Sequence, residues 1–109
     1  MEKTATLMSM TELPAEELAS ILRQGAILRL PYLEGRLLQA REKVRRFEEK
    51  YGMTLDVLSS QGLPDDADYE MHEDFIEWEY WSDVLHKTGL TIRNVKTLLE
   101  KAEEMVGVR

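Results

Sequence analysis

The sequence predicts an all-α protein that forms a single helical domain over residues 1–109. Helix-favouring residues dominate the composition, with only six Gly and three Pro, and this balance favours helices over strands. Two long stretches also place apolar residues in alternating steps of three and four, the spacing of one face of an α-helix. A chain of 109 residues has room for one core. We therefore expect a long antiparallel helical hairpin.

The first predicted arm covers residues 14–51 and follows a loose segment, residues 1–13, that is short, polar and without period. Pro14 suits the first turn of a helix, and the two Glu residues that follow favour the positive end of the helix dipole. Pro31 predicts a kink, because proline has no backbone N–H to donate inside a helix. Around and beyond it the apolar positions form a strict heptad seam: Leu30, Leu33, Leu37, Ala40, Val44, Phe47 and Tyr51.

Gly52 predicts the end of this arm, as a left-handed cap. Thr54 can cap a short turn of helix through Leu58, and residues 59–67, rich in Gly, Pro and Asp, predict a loop. A C-terminal helix is then expected over about residues 68–106. Its seam also steps by three and four: Met71, Phe75 or Asp74, Trp78, Trp81, Leu85, Thr88, Ile92, Val95, Leu99, Ala102 and Val106.

The predicted hairpin has consequences for assembly. The seam keeps its spacing across Gly89, which favours a continuous helix there even though Gly costs about 1 kcal/mol in a helix interior. Two packed helices leave much of their surface in water, so such a hairpin rarely suffices alone. We expect self-association, as a homo-oligomer, or a protein partner.

Composition excludes several classes of protein. Cysteine is absent, so disulfides, thiolate zinc sites and cysteine nucleophiles are excluded. No apolar run approaches the roughly 20 residues that span a bilayer, and the first ten residues have no continuous apolar stretch of the signal-peptide type. We expect a cytoplasmic protein with no membrane partner.

The formal charge of −7 is divided unevenly along the chain. Residues 1–55 carry nine Lys/Arg and eight Asp/Glu, whereas residues 56–109 carry five and thirteen. The acidic half would repel phosphate at long range, so binding of nucleic acid by this chain alone is not expected. We interpret the basic stripe of the first arm as a solvated helix face: Arg36, Arg41, Lys43, Arg45 and Arg46.

The segment from Asp56 to His86 is the most distinctive part of the sequence. It contains ten carboxylates and no Lys or Arg, and five of the eight aromatic residues of the chain lie within residues 69–81. The segment is too rich in large rings for a solvated tail and too acidic to be wholly buried. It predicts a surface that binds a basic partner.

Helical spacing divides this segment into two faces. One face belongs to the hairpin core, and its predicted structural seam residues are Tyr51, Phe75, Trp78 and Trp81. The other combines apolar and aromatic side chains with carboxylates, as the centres and rims of protein interfaces do. The predicted partner-binding residues are Glu73, Asp74, Ile76, Glu77, Tyr80 and Asp83.

No arrangement of residues predicts a catalytic centre. Helical di-metal sites need Glu-x-x-His pairs from two helices, and only Asp83 and His86 have a comparable spacing. All-α nucleotide pyrophosphohydrolases hold magnesium with Glu-x-x-Glu followed by Glu-x-x-Asp. The chain has Glu70 and Glu73 but no Glu-x-x-Asp after them. We expect no enzyme, no metal and no cofactor.

The stretch from Leu37 to Trp81, about 45 of the 109 residues, resembles the antitoxins of minimal type II toxin–antitoxin modules, the TumA-like small helical family. The family pattern is a basic helix that ends in a Lys-Tyr-Gly-Met turn, a Pro-containing loop, a Tyr-Glu-hydrophobic run, an acidic pair with an aromatic, and Glu-Trp-Glu. The matching runs are Lys50-Tyr51-Gly52-Met53-Thr54-Leu55, Leu63-Pro64-Asp65, Tyr69-Glu70-Met71, Glu73-Asp74-Phe75 and Ile76-Glu77-Trp78-Glu79.

The chain departs from this family in two places. Residues 56–63 lack the Glu- and Phe-rich short helix that usually follows the turn, and residues 1–30 and 88–109 have no counterpart in the pattern. The resemblance implies a non-catalytic antitoxin that neutralises a cognate basic, ribonuclease-like toxin by masking its active surface. Two alternatives stay open from the residues alone: a magnesium-dependent nucleotide pyrophosphohydrolase that uses Glu70 and Glu73, and a self-associating helical scaffold.

Overall fold

The computed structural model of the chain describes residues 12–107. Within this range the chain forms three helices and no strand: α1, Ala15–Tyr51; α2, Leu55–Gln61; and α3, Tyr69–Met105. The two long helices, α1 and α3, pack against each other as the arms of a hairpin. The predicted all-α fold is therefore confirmed. The loose segment expected over residues 1–13 lies outside the described residues except for its last two positions.

Helix α1 begins one residue after Pro14 and continues through Pro31 as a single helix. At its start, the backbone N–H of Leu18 donates to the carbonyl of Pro14 at 3.0 Å. At its end, Gly52 has a φ of 68°, in the left-handed region that glycine adopts without strain. Its N–H donates to the carbonyl of Glu48 at 2.8 Å, so the predicted glycine cap closes this helix.

Helix α2 begins where Thr54 was expected to cap it, because the Thr54 hydroxyl accepts from the backbone N–H of Val57 at 3.3 Å. The helix continues to Gln61, so the loop predicted over residues 59–67 is wrong for its first three residues. The reason is that the helix stops only at Gly62, which has a φ of 78° and donates to the carbonyl of Leu58.

Helix α3 begins after Asp68, whose carboxylate accepts from the backbone N–H of Met71 at 2.9 Å, as an N-cap does. The helix runs without a break through Gly89. A Cβ built on Gly89 would meet only the Leu37 side chain, at an ordinary contact distance of 3.8 Å. The continuous seam therefore outweighs the helix-breaking tendency of this glycine.

The described residues group into two compact units. The terminal unit contains residues 12–34 and 90–107, and the turn unit contains residues 35–89. In the terminal unit the buried residues come from both long helices: Leu18, Ala19, Ala26, Leu33, Ile92 and Ala102. Arg23 Nε of α1 also donates to Glu103 Oε2 of α3 at 3.0 Å.

In the turn unit the core is an aromatic layer around Trp78, which is fully buried. The Phe47 and Tyr51 rings stack on it nearly in parallel, with centroid distances of 5.7 Å and 5.8 Å. The indole Nε1 has no hydrogen-bond partner among the described residues. The rest of this core consists of Ala40, Leu58, Val84 and Thr88.

Both predicted seams lie inside, since every one of their positions is buried or half-buried. Val84 and Leu58 are buried as well, although neither belongs to a predicted seam.

Candidate partner-binding surface

One side of α3 carries apolar and aromatic side chains that are surrounded by carboxylates. Ile76 is 60% exposed and Tyr80 is 52% exposed. Positions 73, 76, 80 and 83 step by three and four, so they share one helix face. We call this surface the acidic aromatic face and define it by five exposed residues, all predicted as partner-binding: Glu73, Ile76, Glu77, Tyr80 and Asp83.

Tyr80 is held in place by two contacts. Its ring meets the Trp81 ring edge to face, with a centroid distance of 5.1 Å and an interplanar angle of 79°. Its hydroxyl accepts a hydrogen bond from Arg36 Nη2 of α1 at 3.2 Å. A ring that is fixed in this way loses less side-chain entropy when a partner covers it.

Basic residues of α1 border the acidic aromatic face. This basic border was not predicted from the sequence. Besides Arg36, Lys43 of α1 places its Nζ 5.8 Å from the centroid of the Trp81 ring, within range of a cation–π interaction. Arg36 and Tyr80 are 44 positions apart, so their proximity depends on the register between the two arms. The basic stripe of α1 was the sequence signal from which these two neighbouring cations could have been predicted.

Two other members of the basic stripe, Arg45 and Arg46, are engaged within α1. Arg45 pairs with Glu42 and Glu49, and Arg46 Nε lies 3.2 Å from Glu42. Hydrogen bonds from Arg45, and also from Arg46, lower the pKa of Glu42 although desolvation opposes them. These intrahelical ion pairs fit the interpretation of the stripe as a solvated helix face.

Asp83 already has a cationic neighbour, because Lys87 Nζ lies 3.0 Å from its carboxylate one helical turn away. Both side chains are more than half exposed, and exposed pairs of this kind contribute little to stability. Asp83 can therefore exchange this contact for a cation of a partner at small cost.

Asp74 lies apart from the other predicted partner-binding residues. Its side chain is 17% exposed, and its Oδ2 accepts from the Tyr51 hydroxyl and from Lys50 Nζ, both at 2.6 Å. The physical reason is helical spacing, because position 74 is four and seven residues before Trp78 and Trp81 and so faces α1. Phe75 and Trp81, two of the predicted seam residues, are half-buried.

This contact belongs to a charged cluster that joins the end of α1 to the start of α3. Lys50 also donates to Glu70. Burial acts to raise the pKa of Asp74, but donation from Lys50 and Tyr51 outweighs it and holds the pKa below its ordinary value. Burial, followed by the hydrogen bond to Asp74, raises the pKa of Tyr51 to about 12. The bonds to Asp74 and Glu70 raise the pKa of Lys50.

An open cleft of about 340 Å³ lies beside this cluster. Asp66 and Asp68 contribute carboxylates to its wall, and Pro64 and Met71 contribute apolar surface. Sequence reasoning did not identify this cleft. It extends the acidic surface of the turn unit to the loop before α3.

Residues 12–107 include the carboxylates that were considered as metal ligands. No group of three or more His, Asp or Glu side chains is gathered there as metal ligands would be. Glu70, one of the two residues considered for magnesium, is bound by Lys50.

Within the described part of the chain, no helix combines the length and the apolar character needed to cross a membrane.

Comparisons of the chain with models of protein families, with curated proteins and with solved structures gave no match.

Proposed function

We propose that this chain is a non-catalytic antitoxin that neutralises a cognate basic, ribonuclease-like toxin through the acidic aromatic face of α3. One observation supports this above the others: Ile76 and Tyr80 are more than half exposed in a segment of ten carboxylates that has no Lys or Arg. An exposed apolar centre with an acidic surround is suited to a basic protein partner.

The two kinds of residue have different tasks in this proposal. The carboxylates Glu73, Glu77 and Asp83 attract a basic partner at long range and so raise the rate of association. Ile76 and Tyr80 then provide the contact that loses water on binding, where tyrosine is among the residues that contribute most. Arg36 orients the Tyr80 ring by a hydrogen bond to the Tyr80 hydroxyl. About half of Tyr80 stays exposed for the partner to contact.

The chemistry of the face supports a basic protein as the partner, and the resemblance over residues 37–81 supports a toxin as its identity. A ribonuclease-like toxin binds RNA through basic residues, so a surface of carboxylates competes with RNA for the same groups. Such an antitoxin acts in the cytoplasm, where its toxin acts.

Co-expression tests the proposal directly. The small basic protein encoded beside this chain is expressed with and without it, and growth, complex formation and the salt dependence of association are measured. We expect growth arrest by the neighbour alone, relief by this chain, and a complex that forms more slowly at high salt. A neighbour that forms no complex and whose toxicity is not relieved would refute the proposal.

A double substitution, Tyr80→Ala with Glu77→Gln, tests the face itself. Loss of an interface centre costs about 2 kcal/mol or more, so we expect the dissociation constant to rise at least about 30-fold. The control is Tyr32→Ala with Glu100→Gln, which changes the same residue types at exposed positions of the terminal unit, outside the acidic aromatic face. Equal binding by both variants would exclude the acidic aromatic face, and unchanged circular dichroism would show that both remain folded.

A further inference from the structure

The terminal unit has a second apolar face on α1, directed away from its core. Leu28 is 81% exposed, Tyr32 54% and Ile21 50%. Positions 21, 25, 28 and 32 step by four, three and four, which is the seam spacing of a coiled coil. A helix that is apolar on its inner and outer sides is normally covered on both. This stretch of α1 is covered on one side only.

A groove lies beside this face. Its volume is about 330 Å³, and it runs between Ile21, Gly25 and Ala26 of α1 and Val95, Leu98 and Leu99 of α3. Gly25 leaves the groove open, since a Cβ built at this position would meet no atom within 4 Å. Projecting side chains and a groove that can receive one thus occur on the same surface.

Charge indicates which partner can approach this surface. The terminal unit carries seven acidic and five basic residues over 12–34 and 90–107, whereas the turn unit carries thirteen and seven. A second copy of this acidic chain meets the least repulsion at the terminal unit. A basic partner is attracted to the turn unit instead.

We propose that the Ile21–Tyr32 face of α1 is the interface at which two copies of this chain form a symmetric dimer. A two-fold interface needs a patch that is complementary to itself. If two α1 helices cross antiparallel between Ala26 and Ile27, Leu28 of each copy faces Gly25 of the partner subunit, and Ile21 faces Tyr32 of the partner subunit. Leu28, the most exposed of these side chains, then enters the groove of the other copy. Because the dimer is two-fold symmetric, each of the two contacts occurs twice.

The flat area of the surface is about three-quarters of what a stable dimer interface uses. Residues 15–34 span about 30 Å, and two packed helices are about 20 Å wide, so the face covers about 600 Å² before its roughness is counted. A stable interface uses about 800 Å² on each partner. The inference does not depend on the toxin, because the dimer face and the acidic aromatic face have no residue in common.

Sedimentation velocity of the full chain, over a wide range of concentration, tests the dimer. We expect a species of twice the 12.7 kDa chain mass for the wild type, and a dissociation constant at least about 30-fold higher for Leu28→Glu. The control, Val57→Glu, makes a comparable change at another exposed apolar residue and should dimerise as the wild type does.

A second variant separates loss of the interface from loss of the fold. In Gly25→Leu the added Cβ meets no atom within 4 Å and leucine favours a helix, but the side chain fills the groove that would receive Leu28. We therefore expect this variant to be helical by circular dichroism and monomeric by sedimentation. A wild type that is monomeric at every concentration would overturn the proposal. So would dimers of Leu28→Glu and Gly25→Leu as stable as the wild type, or a Val57→Glu variant that dissociates as readily as Leu28→Glu.

Discussion

Replacement of Trp78 by alanine would remove the centre of the aromatic layer in the turn unit. A buried Trp side chain covers about 150–250 Å², which at about 25 cal/mol per Å² corresponds to about 4–6 kcal/mol. Two further terms change this value. Loss of stacking on Phe47 and Tyr51 adds to the cost, whereas removal of the unpartnered indole N–H recovers about 1–3 kcal/mol of desolvation. We therefore expect Trp78→Ala to lower the free energy of unfolding by about 3–5 kcal/mol.

The companion variant Trp78→Phe keeps a ring between Phe47 and Tyr51 and also removes the unpartnered N–H. Its expected loss is below about 2 kcal/mol, because a smaller cavity is left and the desolvation cost disappears. Urea denaturation followed by circular dichroism measures both losses by linear extrapolation. A loss below about 1 kcal/mol for Trp78→Ala, or equal losses for the two variants, would refute the packing and desolvation reasoning.

Three further outcomes are expected. Asp74→Asn should destabilise the chain near neutral pH but progressively less in acid. The folded-state pKa of Asp74 lies below the ordinary 3.8, so the contribution of its carboxylate to stability is present above that value and is lost as pH falls through the folded pKa. Urea denaturation at several pH values measures this loss. Because the pKa of Tyr51 is raised from 10.0 to about 12, its contribution holds below pH 10 and is lost as pH rises from 10 to 12. An alkaline absorbance titration should show a phase near pH 12 for Tyr51, and Tyr51→Phe should remove that phase. Gly62→Ala should lower the melting temperature and reduce the free energy of unfolding by about 1 kcal/mol, since Gly62 has a φ of 78°. The control Gly35→Ala, at a helical position with free space, should be neutral or stabilising.

Periodicity was sufficient to predict the fold class and the two long helices. Apolar steps of three and four arise from the geometry of the helix itself, so they are readable without knowledge of any partner. The glycine cap at Gly52 and the threonine cap at Thr54 were also predictable, because caps depend on one side chain and its own backbone. The end of α2 was predicted too early because residues 59–61 have no apolar period. The helix ends instead at Gly62, whose role as the stop signal was not recognised.

The candidate surface was only partly predictable. Spacing along one helix identified Ile76 and Tyr80 as residues that cannot share the seam with Trp78, and both are exposed. Asp74 was included because it is a carboxylate beside them, but its position on the helix directs it toward Lys50 and Tyr51. A single helix shows which residues share a face, whereas the cations available from α1 depend on how the two arms are aligned.

The sequence by itself determined the two long helices, the caps at Gly52 and Thr54, the uneven distribution of charge and the segment in which acidic and aromatic residues meet. These features depend on interactions between residues close in the chain, whose spacing is set by helix geometry. Only the tertiary structure decided that Arg36 holds Tyr80, that Lys50 and Tyr51 engage Asp74, and that Leu28 lies exposed beside an open groove. The contacts of Tyr80 and Asp74 depend on the register of α1 against α3 in the turn unit, which is set by the packing of side chains far apart in the sequence, such as Phe47 and Tyr51 around Trp78. The groove beside Leu28 depends on the packing of the two helices within the terminal unit.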